Sequence, residues 1–258
     1  MSCSQLVVDR IDPLVDPGVL GSPHLHQLVG GNSLHDTMDP DNNPGEFSTC
    51  TTNGTYKRVK QVGAVGSKTA RGGGITVYYS ETDTRYTNRS ATFSDHMYPM
   101  GILTTIYFPS CWDGINLDSP DHYSHVSWPT EGDHDDGGPC PATHPVKIPQ
   151  IILEVQWDTR EFNMPELWPE EPGIQPFVWS FGDAKGYGHH GDYIFGWRGG
   201  VLSKASSDDE GCLGPGNTLC ELNRQSIEKA NQCMLEPSVR EEVDGWLEKM
   251  PGGVEAEP

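Results

Sequence analysis

Apolar and polar positions alternate with period two in short runs, and turn-forming residues separate the runs. The pattern predicts strands at Gln5–Asp9, Ile75–Tyr79, Ile102–Phe108, Ile151–Trp157, Pro176–Phe181 and Asp192–Trp197. In Ile151–Trp157, the residues Ile151, Leu153, Val155 and Trp157 point one way, and Ile152, Glu154 and Gln156 point the other. One face belongs on a core and the other on solvent or a cleft. Helical spacing is rare. Ser119-Pro120-Asp121 reads as a helix start, with a capping hydroxyl and proline in the first turn. Leu222, Ile227 and Ala230 mark a short helix within Thr218–Cys233. Residues 32–72 are polar and Gly-rich and read as loop. The expectation is a mainly β, single-domain fold of β-sandwich or jelly-roll type, with long loops and a short C-terminal helix. It would occupy 1–253, followed by a loose tail at 254–258.

Composition fits that picture. Thirty glycines and 21 prolines in 258 residues favour turns over long helices. The 37 acidic residues against 17 Lys and Arg give a formal charge of -20, which repels phosphate backbones and excludes nucleic acid as a partner. No apolar run approaches membrane-spanning length, and the first residues lack the pattern of a secretory signal. Seven widely spaced cysteines and the sequons at Asn53 and Asn88 nonetheless suit a bridged extracellular protein. Cys111 and Cys140 flank one loop-rich segment and form the preferred pair. Cys212, Cys220 and Cys233 are expected to pair among themselves or with Cys50. An odd count leaves at least one thiol over.

Histidine carries the candidate chemistry. In "SPHLHQLVGG", an extended chain puts His24 and His26 on one face, which suits a metal or an acid–base pair. Two surface histidines beside a turn would show the same spacing. In "CWDGINLDSPDHYSHVSWP", one helical turn would bring His122 and His125 together, and a strand would separate them. Trp112 and Asp113 there offer a stacking surface and a carboxylate, although tryptophan is more often core. In "GYGHHGDYIFGW", alternation sends His189 with the aromatic residues Tyr193, Phe195 and Trp197, and His190 with Asp192. An aspartate beside a histidine can fix its tautomer and raise its basicity. Glu154, Asp158 and Asp192 are the carboxylates that a glycosidase mechanism would draw on. No G-x-S-x-G, Walker-type or dinucleotide fingerprint is present.

The segments "HLHQLVGG", "YFPSCWDGINLDSPDHYSHVSWP", "GPCPATHPVKIPQIILEVQWDT", "PFVWSFGDAKGYGHHGDYIFGW" and "LNRQSIEKANQC" resemble a fungal family of unknown function, numbered nineteen ninety-six. The resemblance runs from about Val7 to Gly253. It implies a secreted or cell-surface protein and, through the carbohydrate-binding domains that relatives carry, a polysaccharide or cell-wall glycan as partner. It matches His24 and His26 to an N-terminal histidine pair. Asp113, Asp118, His122 and His125 match a central motif, and Trp179, Asp183, His190 and Asp192 match a late one. Tyrosine is common in relatives at the place of His189. Relatives also carry segments missing here between residues 50 and 100, so the middle reads as shortened. The expected catalytic group is therefore His24, His26, His122, His125, His190 and Asp192. Trp112, Asp113, Asp118, Trp179 and Asp183 are expected to bind substrate. No cofactor is called for, and His24, His26 and His122 are the set a divalent metal would use. The implied function is a polysaccharide hydrolase or lyase, and the alternative is a non-catalytic glycan-binding or wall-associated protein.

Overall fold

The computed structural model describes residues 2–39, 43–51, 53–54, 75–80, 93, 97, 101–132, 138–205 and 225–256. Strands dominate these residues, in three antiparallel sheets with few short helices, and the chain is a mainly β domain. The largest sheet runs β4-β1-β5-β10-β6, from Asn53–Gly54 (β4), Ser2–Cys3 (β1), Ile75–Ser80 (β5), Gln150–Trp157 (β10) and Ile102–Tyr107 (β6). Gln5–Asp9 (β2) and His26–Val29 (β3) form a separate hairpin. Cys111–Trp112 (β7) lies between Val126–Ser127 (β8) and Val146–Lys147 (β9).

The alternation in β10 does what the sequence requires. Leu153 and Val155 join Cys3 and Ile75 in the main core, and Ile151, Trp157, Ile106, Phe108 and Val29 pack around them. Each fully buried aliphatic side chain contributes ~1.5–3 kcal/mol. The opposite face departs from the simple pattern, because Ile152 is also buried there.

The hairpin has its own small core of Leu6, Val7 and Cys233, with Leu28, Cys50 and Leu235 against it. The Cys50–Cys233 disulfide fastens the C-terminal segment at this point. Next to it, the buried Asp9 carboxylate accepts the backbone N–H groups of Ser238 (2.6 Å) and Val239 (3.2 Å). Arg10 donates to Glu241 (2.5 Å) and to the Ser22 carbonyl (2.8 Å). The hairpin that carries His26 is thus strapped from behind. The second disulfide joins Cys111 to Cys140, as the loop-flanking argument expects. Cys212 and Cys220 lie outside the described residues.

Three expected elements take other forms. Pro176–Phe181 is not a strand, because the Gln175 side chain replaces a strand partner: it accepts from Phe177 N–H (2.6 Å) and donates to the Phe177 and Ala184 carbonyls. Asp192–Trp197 is also irregular, and lies beside the four-residue helix Pro44–Phe47, where the Asn43 side chain donates to the Trp197 carbonyl. The helix expected after Ser119 is only a turn. Asp121 Oδ1 accepts the N–H groups of Tyr123 and Ser124, and His122 takes a left-handed φ of 53°. Local side-chain bonding to the backbone has displaced the helix. Of the helix expected over Thr218–Cys233, residues 218–224 lie outside the described ones, and Ile227–Ala230 is the helical part of the rest.

Candidate functional site

Hairpin, sheet and the loop after Pro176 enclose a cavity of about 1090 Å³. Leu153, Val155 and Trp157 from the core face of β10 contribute to its wall, and His24, His26, His190 and Asp192 line it. The backbone brings these four together from distant parts of the chain. His26 begins β3, paired in register with Asp9, and His24 lies two residues earlier on the same side, with ring centroids 4.5 Å apart. His190 comes from the late loop, and its ring centroid is 5.3 Å from that of His24. Phe181 sits edge-on to His24 at 5.4 Å and tilted to His190 at 5.5 Å.

Two features aim the late loop. Asp183 Oδ1 accepts from Lys185 N–H (2.7 Å) and Gly186 N–H (3.0 Å), and Oδ2 accepts from Gly188 N–H (2.7 Å). Partial burial pushes this carboxyl up, but the backbone donors outweigh it and hold it below the usual range. Gly191 then passes so close to the sheet that a Cβ there would stand 3.0 Å from Ile106 Cδ1 and 3.3 Å from Leu153 Cδ1. The loop consequently sends its adjacent histidines apart. His189 stacks on Trp179, with centroids 4.5 Å apart and planes 11° apart, and Trp179 itself packs edge-on to Trp157. His190 turns to the histidine cluster, and its Nδ1–H donates to the Gly188 carbonyl at 2.6 Å. That bond leaves Nε2 as the nitrogen able to offer a lone pair.

Asp12, which the sequence reading did not single out, completes the cluster. It is buried, and its Oδ1 accepts from Leu14 N–H (3.1 Å) and Val15 N–H (2.9 Å). Its Oδ2 stands 3.7 Å from His26 Nε2. The only local signal is Asp-Pro, which reads as a turn; burial against a histidine 14 positions away is a tertiary fact.

The electrostatics follow from this crowding. Burial lowers His24 to about 4, with help from His26 and His190 and against Asp12. Burial also lowers His26, against the carboxylates of Asp12 and Asp192. Asp192 opens to solvent through the cavity, yet the dense surroundings and the Asp12 charge raise its carboxyl against His190, His26 and His122. His24 Nε2 and both ring nitrogens of His26 are buried without a well-formed hydrogen bond, and the Ile11 backbone beside His26 favours its protonated form only weakly against burial. One ring nitrogen from each of His24, His26 and His190 lies within 4.8 Å of the others.

The other candidates sit elsewhere or do other things. His122 approaches closely enough to act on Asp192, and its Nδ1–H is held by Asp118 at 2.8 Å. It is not part of the three-histidine group. His125 bonds Ser119 Oγ at 3.0 Å. Because that hydroxyl gives its one hydrogen to Asp121, His125 Nδ1 is the donor. Trp112 donates to the Asn116 carbonyl, and Asp113 accepts from Ile115, Asn116 and the Asn116 side chain. Neither lines the cavity. Trp179 does line it, with its Nε1 buried and without a hydrogen-bond partner. Glu154 and Asp158 are not in the cavity wall, and Asp158 is paired with Arg160.

No curated protein and no solved structure matches the chain. The matched family segment is narrower than the Val7–Gly253 span of the resemblance: it takes in the central and late motifs and leaves out His24 and His26. Residues 81–197 match the model described as Domain of unknown function (DUF1996), and over this stretch the chain is similar to that family.

Proposed function

We propose that the protein is an extracellular enzyme that hydrolyses a polysaccharide in the cavity lined by His24, His26, His190 and Asp192. The observation that carries this reading is the convergence of three imidazoles and the Asp192 carboxyl on one wall of an open cavity. A carboxyl raised above its usual range suits the general acid of glycoside cleavage, and neutral imidazoles beside it offer lone pairs to a water proton. In the step, the water oxygen bonds to the anomeric carbon as the glycosidic C–O bond breaks. Asp192 gives its proton to the departing oxygen, and the water proton passes into the cluster. Phe181, Tyr193 and Trp197 offer ring surfaces to sugar faces in the same cavity. Asp12, Asp192 and the charge of -20 disfavour uronate substrates, so the reading is hydrolysis of an uncharged glycan rather than elimination. Extracellular location is what the family resemblance implies, and the Cys50–Cys233 and Cys111–Cys140 disulfides support it.

The experiment is the release of reducing ends from a panel of neutral polysaccharides by the full chain, by His190→Gln and by Asp192→Asn. Each variant is expected to lose roughly 100-fold or more of the rate. Retention on one glycan with no product from any would replace the enzyme with a glycan-binding protein.

A further inference from the structure

We infer that His24, His26 and His190 form a binding site for one divalent transition metal of the zinc class, with an open coordination position facing the cavity. The inference deepens the reading above, since such an ion would hold the attacking water and ease the loss of its proton in place of the three imidazoles, but the binding itself can be tested without any substrate.

Ligand chemistry comes first. Three imidazoles with no carboxylate in the inner group select zinc, copper, nickel or cobalt over magnesium and calcium, which demand oxygen. Distance comes next. Nitrogens on a tetrahedral zinc with bonds of ~2.0–2.1 Å stand roughly 3.3 Å apart. The three here lie within 4.8 Å of each other, and ring rotations about χ1 and χ2 can close the difference. Buried nitrogens without a well-formed hydrogen bond at His24 and His26 are costly in an apolar wall unless something accepts their lone pairs. A cation is what lone pairs on these two rings can share with that of His190.

The surroundings match an outer shell. His190 donates its other ring N–H to the Gly188 carbonyl, and Asp12 Oδ2 stands beside His26. Carbonyls and carboxylates in these places orient metal-bound histidines and raise their basicity. Asp183 fixes the loop that presents His190, and the disulfide of Cys50 and Cys233 fixes the hairpin that presents His26. The ligands therefore sit on braced backbone. Asp12, beside His26, supplies negative charge that offsets a dication. Three protein ligands plus one open position is the arrangement of catalytic rather than structural zinc.

The test uses the full chain with disulfides formed, stripped with chelator and titrated with cobalt(II), then with zinc(II) by calorimetry. One equivalent is expected to bind at micromolar Kd or tighter, with the visible d–d bands of a low-coordinate cobalt site. His26→Gln and His190→Gln are each expected to weaken binding more than about 100-fold, and Asp12→Asn by about 10–100-fold. His35→Gln, at an exposed histidine outside the cluster, keeps full affinity. Circular dichroism of each variant separates lost ligands from lost fold. No binding by the unsubstituted chain overturns the inference, as does binding that survives both His26→Gln and His190→Gln. Metal bound without glycan cleavage would leave the site standing and remove the hydrolase; cleavage in chelator without metal binding would do the reverse.

Discussion

At the scale of single residues, the adjacent histidines 189 and 190 do different work. His189 is stacked on Trp179, and burial lowers it to about 4, with His190 adding to the effect. A histidine whose folded value lies below its unfolded one binds fewer protons in the fold. Its contribution to stability is complete above pH ~6.5 and is lost as pH falls toward about 4. His24 acts in the same direction over the same window. The substitution His189→Tyr keeps an aromatic ring on Trp179 and removes the titration. Its melting temperature is expected to fall less than that of the unsubstituted chain between pH 6.5 and pH 4. Parallel curves from thermal unfolding across that range would show that His189 is not the titrating group. Alternation did anticipate different neighbours for the two histidines but not the reason, because the segment is not a strand and both line the cavity with Tyr193 and Trp197.

At the scale of elements, the site depends on how the late loop is seated. A Cβ at Gly188 would stand 2.5 Å from Phe181 Cε2, so Gly188→Ala must displace the ring that touches both His24 and His190. Overpacking of this kind costs about 1–3 kcal/mol. The expected result in denaturant unfolding is that loss together with a fall in cobalt affinity; an unchanged midpoint would mean the loop is free to shift. The strands were readable because period-two patterning meets one buried face: β2 has the bounds the pattern gives, and β10 begins one residue earlier. The loops were not readable, because side chains of Gln175, Asp183 and Asp121 take backbone bonds that a strand or helix would otherwise make. Asp12 was invisible for a related reason, since its neighbour His26 is brought to it only by the pairing of β2 with β3.

At the scale of the whole molecule, the N-terminal hairpin and the C-terminal segment hold each other. The disulfide between Cys50 and Cys233 spans 183 residues of sequence and lies in the hairpin core. Replacing both cysteines with serine is expected to cost about 2–5 kcal/mol of stability. It is also expected to weaken metal binding, because His24 and His26 ride on that hairpin; equal stability by urea unfolding would show that Asp9 and Arg10 hold the strap unaided. The family segment supplies His190 and Asp192, and the hairpin outside it supplies His24, His26 and Asp12. The proposed chemistry thus requires both parts of the chain. The most direct measurement is the comparison of reducing-end release from neutral polysaccharides by the unsubstituted chain and by Asp192→Asn. The account predicts product from at least one glycan and a loss of roughly 100-fold or more in the variant. Equal rates in the two proteins, or no product from any glycan, would contradict it.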